Sequence, residues 1–158
     1  MMRRRVWTAG GLVLLLAAAR LAAQTAPPCP GPSDVCAFFA SFMSALNRRD
    51  WDAFRATFAD DITVIFAAPG PPERQDGRAA VEAVFQNIFP KSGDSPAPLP
   101  PPLKPDSVLV QDFGDLAVIT FVLRRPDQLG RRTLVLHRTP AGWKVVHIHG
   151  SSASLSTP

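Results

Sequence analysis

A proline-rich segment in the middle of the chain limits the folds that this sequence can adopt. Six of the eleven residues from Ser95 to Pro105 are proline. Proline lacks a backbone N–H and fixes φ, so the segment can form neither a helix nor a central strand and favours an extended polyproline conformation. Apolar residues follow mainly helical spacing before the segment and strand alternation after it. The chain therefore divides into a helix-rich first half and a strand-rich second half.

Three helices are predicted before the proline-rich segment. The first begins at a Ser33 or Asp34 cap, the second begins at the cap Asp50 and ends at residues 60–61, and the third runs from residues 76–77 to Pro90. A short β-branched run at residues 62–66 predicts a strand between the second and third helices. The apolar faces of the helices consist of Val35, Phe38, Phe39, Phe42, Met43, Leu46, Trp51, Phe54, Phe58, Val81, Val84, Phe85 and Ile88.

The second half of the chain predicts strands only. They lie at residues 107–111, 116–124, 131–138 and 143–149, and short turns join them. Consecutive strands with short turns form antiparallel hairpins. The fold class is therefore α+β, with the helices packed on one side of a curved antiparallel sheet.

The first residues predict a secretory signal peptide. Three arginines at residues 3–5 precede an apolar run over residues 6–19 that is too short to span a membrane. We expect cleavage near residue 23, which makes the protein periplasmic or secreted. Residues 24–34 then form a proline-rich N-terminal segment, residues 35–152 the folded domain and residues 153–158 a C-terminal tail.

Removing the signal peptide changes the charge of the chain. Four of the 17 lysine and arginine residues lie in it, so 13 remain to balance the 13 aspartates and glutamates of the chain. A neutral chain has no excess charge to bind phosphate backbones or anionic lipid. Neither a nucleic acid nor, after cleavage, a membrane is therefore a predicted partner.

The two cysteines lie close together. A pair of cysteines in an exported chain is typical of a disulfide, here between Cys29 and Cys36, although two free thiols are the alternative. The bridge would join the proline-rich N-terminal segment to the first helix. Two cysteines alone supply too few ligands for a metal site, and no cofactor is predicted.

Four short strings follow one another along the chain, at residues 58–61, residues 76–78, residues 113–118 and residues 142–149. Their order resembles the SnoaL-like members of the NTF2-like superfamily. The resemblance implies a cone of curved sheet and helices around a small pocket. It does not imply an activity, because this fold is used by isomerases, hydrolases, dehydratases and non-catalytic association modules. In such folds the proline-rich segment would lie near the open end, so it is either a stiff spacer or a lid.

Residues 42–85 also resemble the first half of ketosteroid isomerases. The positions that match that family's general base and its phenolic oxyanion donor are occupied by Phe66 and Phe42. Phenylalanine can neither remove a proton nor stabilise an oxyanion. The chain is therefore not expected to isomerise ketosteroids by that mechanism, and its pocket is more apolar, which favours an apolar ligand.

The histidines are the main polar candidates for a site. Alternation along the last strand places Trp143, Val145, His147 and His149 on one face. His147 and His149 are therefore candidate acid–base residues, with hydrogen bonding at a strand end as the structural alternative. If Arg138 pairs with Trp143, then His137 lies on the opposite face and cannot complete a metal site. A register slip of one residue would reverse this.

Other polar groups favour structural roles. Asp60 and Asp61 are interpreted as a solvated helix end, with a functional carboxylate pair as the alternative. Arg78 is interpreted as the partner of a carboxylate elsewhere in the chain, with anion binding as the alternative. Ser151 and Ser152 have no surrounding nucleophile motif.

Three functions remain open. The first is binding of a small apolar molecule in the cone, in a homodimer formed through the outer sheet face. The second is a SnoaL-like enzyme that uses His147 or His149, and the third is an association module without a ligand. The residues predicted to bind the ligand are Phe38, Phe42, Trp51, Phe66, Phe85 and Trp143.

Overall fold

The computed structural model describes residues 29–66, 74–86, 89 and 101–155. The predicted signal peptide, most of the proline-rich segment, Ile88 and Pro90 lie outside these residues, so those predictions stay predictions. None of the described helices is both long and apolar enough to cross a membrane. Cys29 and Cys36 form a disulfide, which confirms the predicted pairing.

The first helix, α1, spans Ser33–Arg48 and carries the predicted apolar face, with Val35, Phe39 and Phe42 buried. The prediction of its cap was wrong. Pro32 occupies the N-cap position and no side chain caps the helix. Asp34 is engaged elsewhere, because one of its oxygens accepts hydrogen bonds from Trp143 and Arg138 of the sheet.

The second helix, α2, spans only Trp51–Arg55 and is much shorter than predicted. Its predicted cap is confirmed, since the Asp50 side chain accepts a hydrogen bond of 3.0 Å from the N–H of Ala53. Strand β1, Phe58–Phe66, begins where the helix was expected to continue, so Asp60 and Asp61 lie in a strand and not at a helix end. Pairing of Phe58 with Val145, far along the chain, favours the strand there.

A short strand that was not predicted, β2 (Gln75–Asp76), comes next. The other elements follow the predicted order and are α3 (Arg78–Gln86), β3 (Pro105–Asp112), β4 (Leu116–Arg124), β5 (Gln128–Thr139) and β6 (Gly142–Ser154). The described strands form one six-stranded sheet in the order β2-β1-β6-β5-β4-β3. Four of the five neighbouring pairs are antiparallel and the β1–β6 pair is parallel. The α+β class with helices on one sheet face is confirmed, and β6 extends past the predicted domain end at residue 152.

A β-bulge in β6 changes the face on which its residues lie. Leu136 pairs with Val145, but Val135 pairs with His147, so Val146 is an extra residue on β6. An extra residue reverses the alternation beyond it. Trp143 and Val145 are buried before the bulge and Ile148 is buried after it. We call the helix-covered face, to which these three side chains point, the inner face, and the opposite one the outer face.

Phenylalanine rings fill the space between the helices and the inner face. Phe54 is fully buried and its ring centroid lies 5.0–5.1 Å from those of Phe42, Phe58, Phe85 and Phe89. Burial of a phenylalanine side chain contributes about 1.5–3 kcal/mol, and neighbouring rings add to this. The core is therefore organised around Phe54, which joins α1, α2, β1 and α3.

Candidate functional site

The two candidate catalytic histidines lie on the outer face. Because of the bulge, His147 pairs with Val135 and His149 pairs with Thr133. These two β5 residues alternate with the buried Leu134 and Leu136, so they and the histidines lie on the opposite, outer face. The prediction that the histidines share a face with Trp143 was therefore wrong. Their positions place them away from the helix-covered side of the sheet, where the sequence predicts the ligand.

His147 has a local partner in the adjacent strand. Its Nδ1 atom lies 2.7 Å from the hydroxyl oxygen of Thr63, the residue with which it pairs in β1. Burial lowers the pKa of His147 below its ordinary value, and the nearby charges of His149 and Arg74 lower it further. The imidazole is therefore neutral at neutral pH, as expected for a hydrogen-bonded histidine within a sheet.

The depressed pKa of His147 predicts a pH dependence of stability. The unfolded chain, with a histidine pKa of about 6.5, binds more protons than the folded one between the two pKa values. The contribution of neutral His147 to the free energy of unfolding is therefore complete above about pH 6.5. It is lost as the pH falls through the folded pKa of His147. Urea unfolding at several pH values should show a smaller decrease for His147→Gln, and equal pH slopes for the two proteins would contradict this account.

The third histidine does not complete a metal site. Arg138 pairs with Trp143 as predicted, but the bulge places His137 on the same outer face as His147 and His149, so the prediction that it lies opposite them was wrong. Across residues 29–66, 74–86, 89 and 101–155, no group of three or more metal-ligating side chains comes together.

Three of the predicted ligand-binding residues belong to the ring cluster. Phe42 and Phe85 are buried against Phe54, and the partly buried Trp51 lies edge-on to Phe89 at a centroid distance of 5.2 Å. These contacts are typical of a packed core. A ligand role for the three side chains stays a prediction.

Two further candidates lie at the margin of the core. Phe38 is partly buried against it. Phe66, at the end of β1, lies edge-on to Phe85 with ring centroids 5.5 Å apart and passes over Gly150 of β6. A Cβ atom at Gly150 would lie 2.6 Å from the Phe66 ring. Glycine at this position therefore leaves room for the Phe66 ring.

Trp143 joins α1 to the sheet. Its indole N–H donates a 3.0 Å hydrogen bond to Asp34, and the guanidinium of Arg138 lies 4.2 Å from its ring centroid and 2.7 Å from the same carboxylate. The hydrogen bonds from Trp143 and then Arg138 hold the pKa of Asp34 below its ordinary value. Trp143 is buried, so this arrangement fixes the start of α1 and leaves little of the indole for a ligand.

A cleft of about 830 Å³ opens at the other end of α1. We call it the α1–β4 cleft, because the last turn of α1, residues 101–104 and the end of β4 with its following turn form it. None of the six predicted ligand-binding aromatic residues lines it. Its lining consists of Leu46, Asn47, Arg49, Pro101, Pro102, Leu103, Lys104, Leu123, Arg124, Arg125, Pro126 and Asp127.

Asn47 fixes the proline-containing wall of the cleft. Its amide nitrogen donates to the carbonyl oxygen of Leu103 at 3.0 Å, and its amide oxygen accepts from the N–H of Leu103 at 2.8 Å. Both backbone groups of Leu103 are thereby satisfied in a segment with no ladder partner. The end of the proline-rich segment is therefore attached to α1, and this wall of the cleft is preformed.

Arg49 lies at the rim of the cleft in an unusual backbone conformation. It occupies the C-cap of α1 in the left-handed region, with φ of 54°. Glycine or asparagine normally occupies such positions, because a side chain there costs about 1–2 kcal/mol. The chain therefore keeps a long cationic side chain at the cleft where local conformation favours glycine.

Arg132 lies on the inner face and was missed at the sequence level. Its guanidinium donates to the carbonyl oxygens of Arg131 and Ser151 at 2.8 and 2.9 Å. Burial lowers the pKa of Arg132, and the charge of Arg125 lowers it further. No carboxylate pairs with it among the described residues. Strand alternation from Leu134 back to residue 132 could have identified this inward cation.

The guanidinium of Arg132 lies over Gly130 on the inner face and does not line the cleft. It lies 3.3 Å from the position that a Cβ atom at Gly130 would occupy. Gly130 pairs with Leu123, which lines the cleft, and Arg125 of the cleft is near enough to affect the Arg132 pKa. Arg132 is therefore a cation one strand away from the lining residue Leu123.

Comparisons with known proteins support one family. The SnoaL-like domain model matches residues 35–154. An NTF2-like protein of unknown function from Pseudomonas putida KT2440 is 23% identical, with a TM-score of 0.62 over 75% of this chain and 84% of that one. A cystatin-like fold protein from Burkholderia xenovorans LB400 is 27% identical, with a TM-score of 0.59 over 79% and 92%. A proposed dehydratase of the NTF2-like family from Streptomyces avermitilis is 23% identical, with a TM-score of 0.56 over 76% and 94%. No curated protein matches the chain.

Proposed function

We infer, from the premise that the chain belongs to the SnoaL-like domain family, that it binds a small apolar molecule. The observation that carries this proposal is the α1–β4 cleft of about 830 Å³. Small-molecule sites are concave, mostly apolar and about 300–1,000 Å³ in volume. Half of the cleft's lining residues are leucine or proline, and they present an apolar surface to a ligand.

The preformed wall supports binding over a purely structural role for the cleft. Asn47 holds Leu103 through both of its backbone groups, so residues 101–104 need not become ordered when a ligand enters. A site that is ordered beforehand loses less conformational entropy on binding. Leu46 of α1 and Leu123 of β4 then provide apolar contacts from two different elements.

The chemistry of the lining favours binding over catalysis. Asp127 is the one carboxylate among the described lining residues, and these residues include no histidine, cysteine or tyrosine. Acid–base catalysis needs a positioned proton donor or acceptor of suitable pKa. The alternative enzyme, with His147 or His149 as acid or base, would have to act on the outer face of the sheet. The dehydratase neighbour supports it by fold alone.

A neutral apolar probe tests the proposal. Phenylnaphthylamine, followed by fluorescence and calorimetry, should bind at one site per chain. Replacing Leu123 by tryptophan should fill the cleft and weaken binding roughly tenfold or more. The matched variant Leu109→Trp places the same ring on the outer face, where Leu109 is 52% exposed, and should bind as the wild type does.

The opposite pattern would contradict the proposal. Probe binding that survives Leu123→Trp and is lost in Leu109→Trp would locate the site on the outer face. Melting curves of both variants must show that they fold, because Leu123 is partly buried against the core.

We also propose that the protein is exported and forms a homodimer. The disulfide between Cys29 and Cys36 supports export, because such bonds persist in oxidising compartments. Leu109 and Leu116 lie exposed on β3 and β4, and apolar side chains on an open sheet face support pairing of two copies. An association module is the second candidate function, and the same two leucines favour it.

A further inference from the structure

We propose that the ligand of the α1–β4 cleft is an amphipathic anion, a carboxylic or sulfonic acid with an apolar body of one or two rings. This inference rests on the proposed function, because it specifies the ligand class of the same site. The observations that carry it are the charges around the cleft, the surroundings of Arg132 and the backbone of Arg49.

The charged side chains of the cleft lining are mostly cations. Arg49, Lys104, Arg124 and Arg125 line it together with the single carboxylate of Asp127. Of the cations, Arg124 is neutralised by Asp106 at 2.7 Å. The other three have no carboxylate partner in the described part of the chain. An excess of unpaired cations at one cleft favours an anion there.

Arg132 provides a partly desolvated cation near the cleft, over the glycine that pairs with Leu123. Its two hydrogen bonds go to backbone carbonyl oxygens, so its charge is oriented without being neutralised. Five N–H donors are available on a guanidinium, and a carboxylate or sulfonate can accept two of them side by side. Burial strengthens such a contact because water competes less for it. An anion reaching past Leu123 would therefore gain more here than at the exposed rim.

Arg49 gives independent support. A left-handed C-cap favours glycine, so keeping an arginine there is unfavourable for the backbone. Such local strain is typical of positions whose side chain has another role. The side chain of Arg49 lines the cleft, and contact with an anionic ligand is the role that its position and charge allow.

The apolar lining excludes a small inorganic anion as the preferred ligand. Leu46, Leu123 and Pro126 offer surface that phosphate or sulfate would leave exposed to water. A ring body covers this surface, while the acid group reaches the arginines. The two requirements together define an amphipathic acid.

Two probes that differ by one charged group provide the test. Anilinonaphthalene sulfonate carries the ring system of phenylnaphthylamine and adds a sulfonate. Calorimetric titration of the full-length protein should show roughly tenfold tighter binding of the sulfonate at low salt. The advantage should shrink as salt is added, because salt screens the exposed charges of the rim.

Variants of the cleft arginines test the charge contact directly. Arg49→Gly should remove most of the preference for the sulfonate while leaving the melting temperature unchanged or raised, since glycine suits the left-handed C-cap. Arg132→Gln should do the same for binding, and Arg132→Lys should restore part of the preference. The control Arg48→Ala removes a neighbouring exposed cation that does not line the cleft and should leave the preference intact.

The outcomes separate this inference from the proposed function. If the two probes bind equally well and Arg49→Gly changes neither affinity, the inference of an anionic ligand is wrong, while the proposal of an apolar binding site is retained. Binding of neither probe would overturn both. If Arg132→Gln fails to fold, the result for Arg49→Gly decides whether the ligand is an anion. Its melting temperature should stay the same or rise while its affinity for the sulfonate falls, so a loss of binding cannot be explained by unfolding.

Discussion

Replacing Phe54 by alanine is expected to lower the free energy of unfolding by about 3–5 kcal/mol, the range observed for deleting a buried ring from a well-packed core. Phe54 is fully buried and contacts four phenylalanine rings from α1, β1, α3 and the segment after α3. The cavity cannot close easily, because those rings are fixed by different elements. Equilibrium urea unfolding measures the change.

The matched control is Phe113→Ala. Phe113 is 63% exposed at the turn between β3 and β4, so its removal should change the free energy of unfolding by no more than about 0.5 kcal/mol. A loss at Phe54 as small as that at Phe113 would contradict a core organised around Phe54.

Replacing Arg78 by alanine has the second largest expected effect, about 2–3 kcal/mol, because charged hydrogen bonds in a partly buried position are lost together. Arg78 donates to the carboxylate of Glu82 at 2.9 Å and to that of Asp60 at 3.2 Å. It also donates to the carbonyl oxygens of Phe58 and Arg55 at 3.1 and 2.8 Å. One side chain thereby ties the start of α3 to β1 and to the end of α2.

Arg74→Ala is the control for this variant. Arg74 forms a short ion pair with Asp76, but both side chains are more than half exposed, and exposed pairs contribute about 0–1 kcal/mol. Thermal or urea unfolding of the two alanine variants should therefore differ clearly. Equal stability would mean that the Arg78 contacts are as weak as those of a surface pair.

The sequence predicts the order of elements and most of their positions. The bounds predicted for β4 agree with the structure, and the Asp50 cap and the apolar face of α1 are confirmed. Arg78 pairs with carboxylates, as predicted. These features depend on local signals, namely alternation, helical spacing and capping side chains, which act within a few residues of the chain.

The errors arise where distant pairing overrides a local signal. Phe58 has helical spacing relative to Trp51 and Phe54, yet it belongs to β1 because it pairs with Val145. The bulge at Val146 carries no turn or glycine signal, and it alone moves His147 and His149 to the outer face. A local pattern cannot report either event, because both depend on a strand partner elsewhere in the chain.

One part of the candidate site could have been predicted from a local pattern, and the other part could not. Arg132 stands two residues before the apolar Leu134 in a predicted strand, so alternation could have identified it as inward. The α1–β4 cleft could not be predicted, because it joins the end of α1, residues 101–104 and residues 123–127. Those three segments come together only in the folded chain, through the Asn47 contacts and the β3–β4 pairing.

The central claim is that the ligand binds in the α1–β4 cleft. A crystal structure of the full chain with phenylnaphthylamine tests this most directly. We expect density for the probe between Leu46 and Leu123, with the contacts of Asn47 to Leu103 retained. Density for the probe on the outer face beside Leu109 and Leu116, with the cleft empty, would contradict the account.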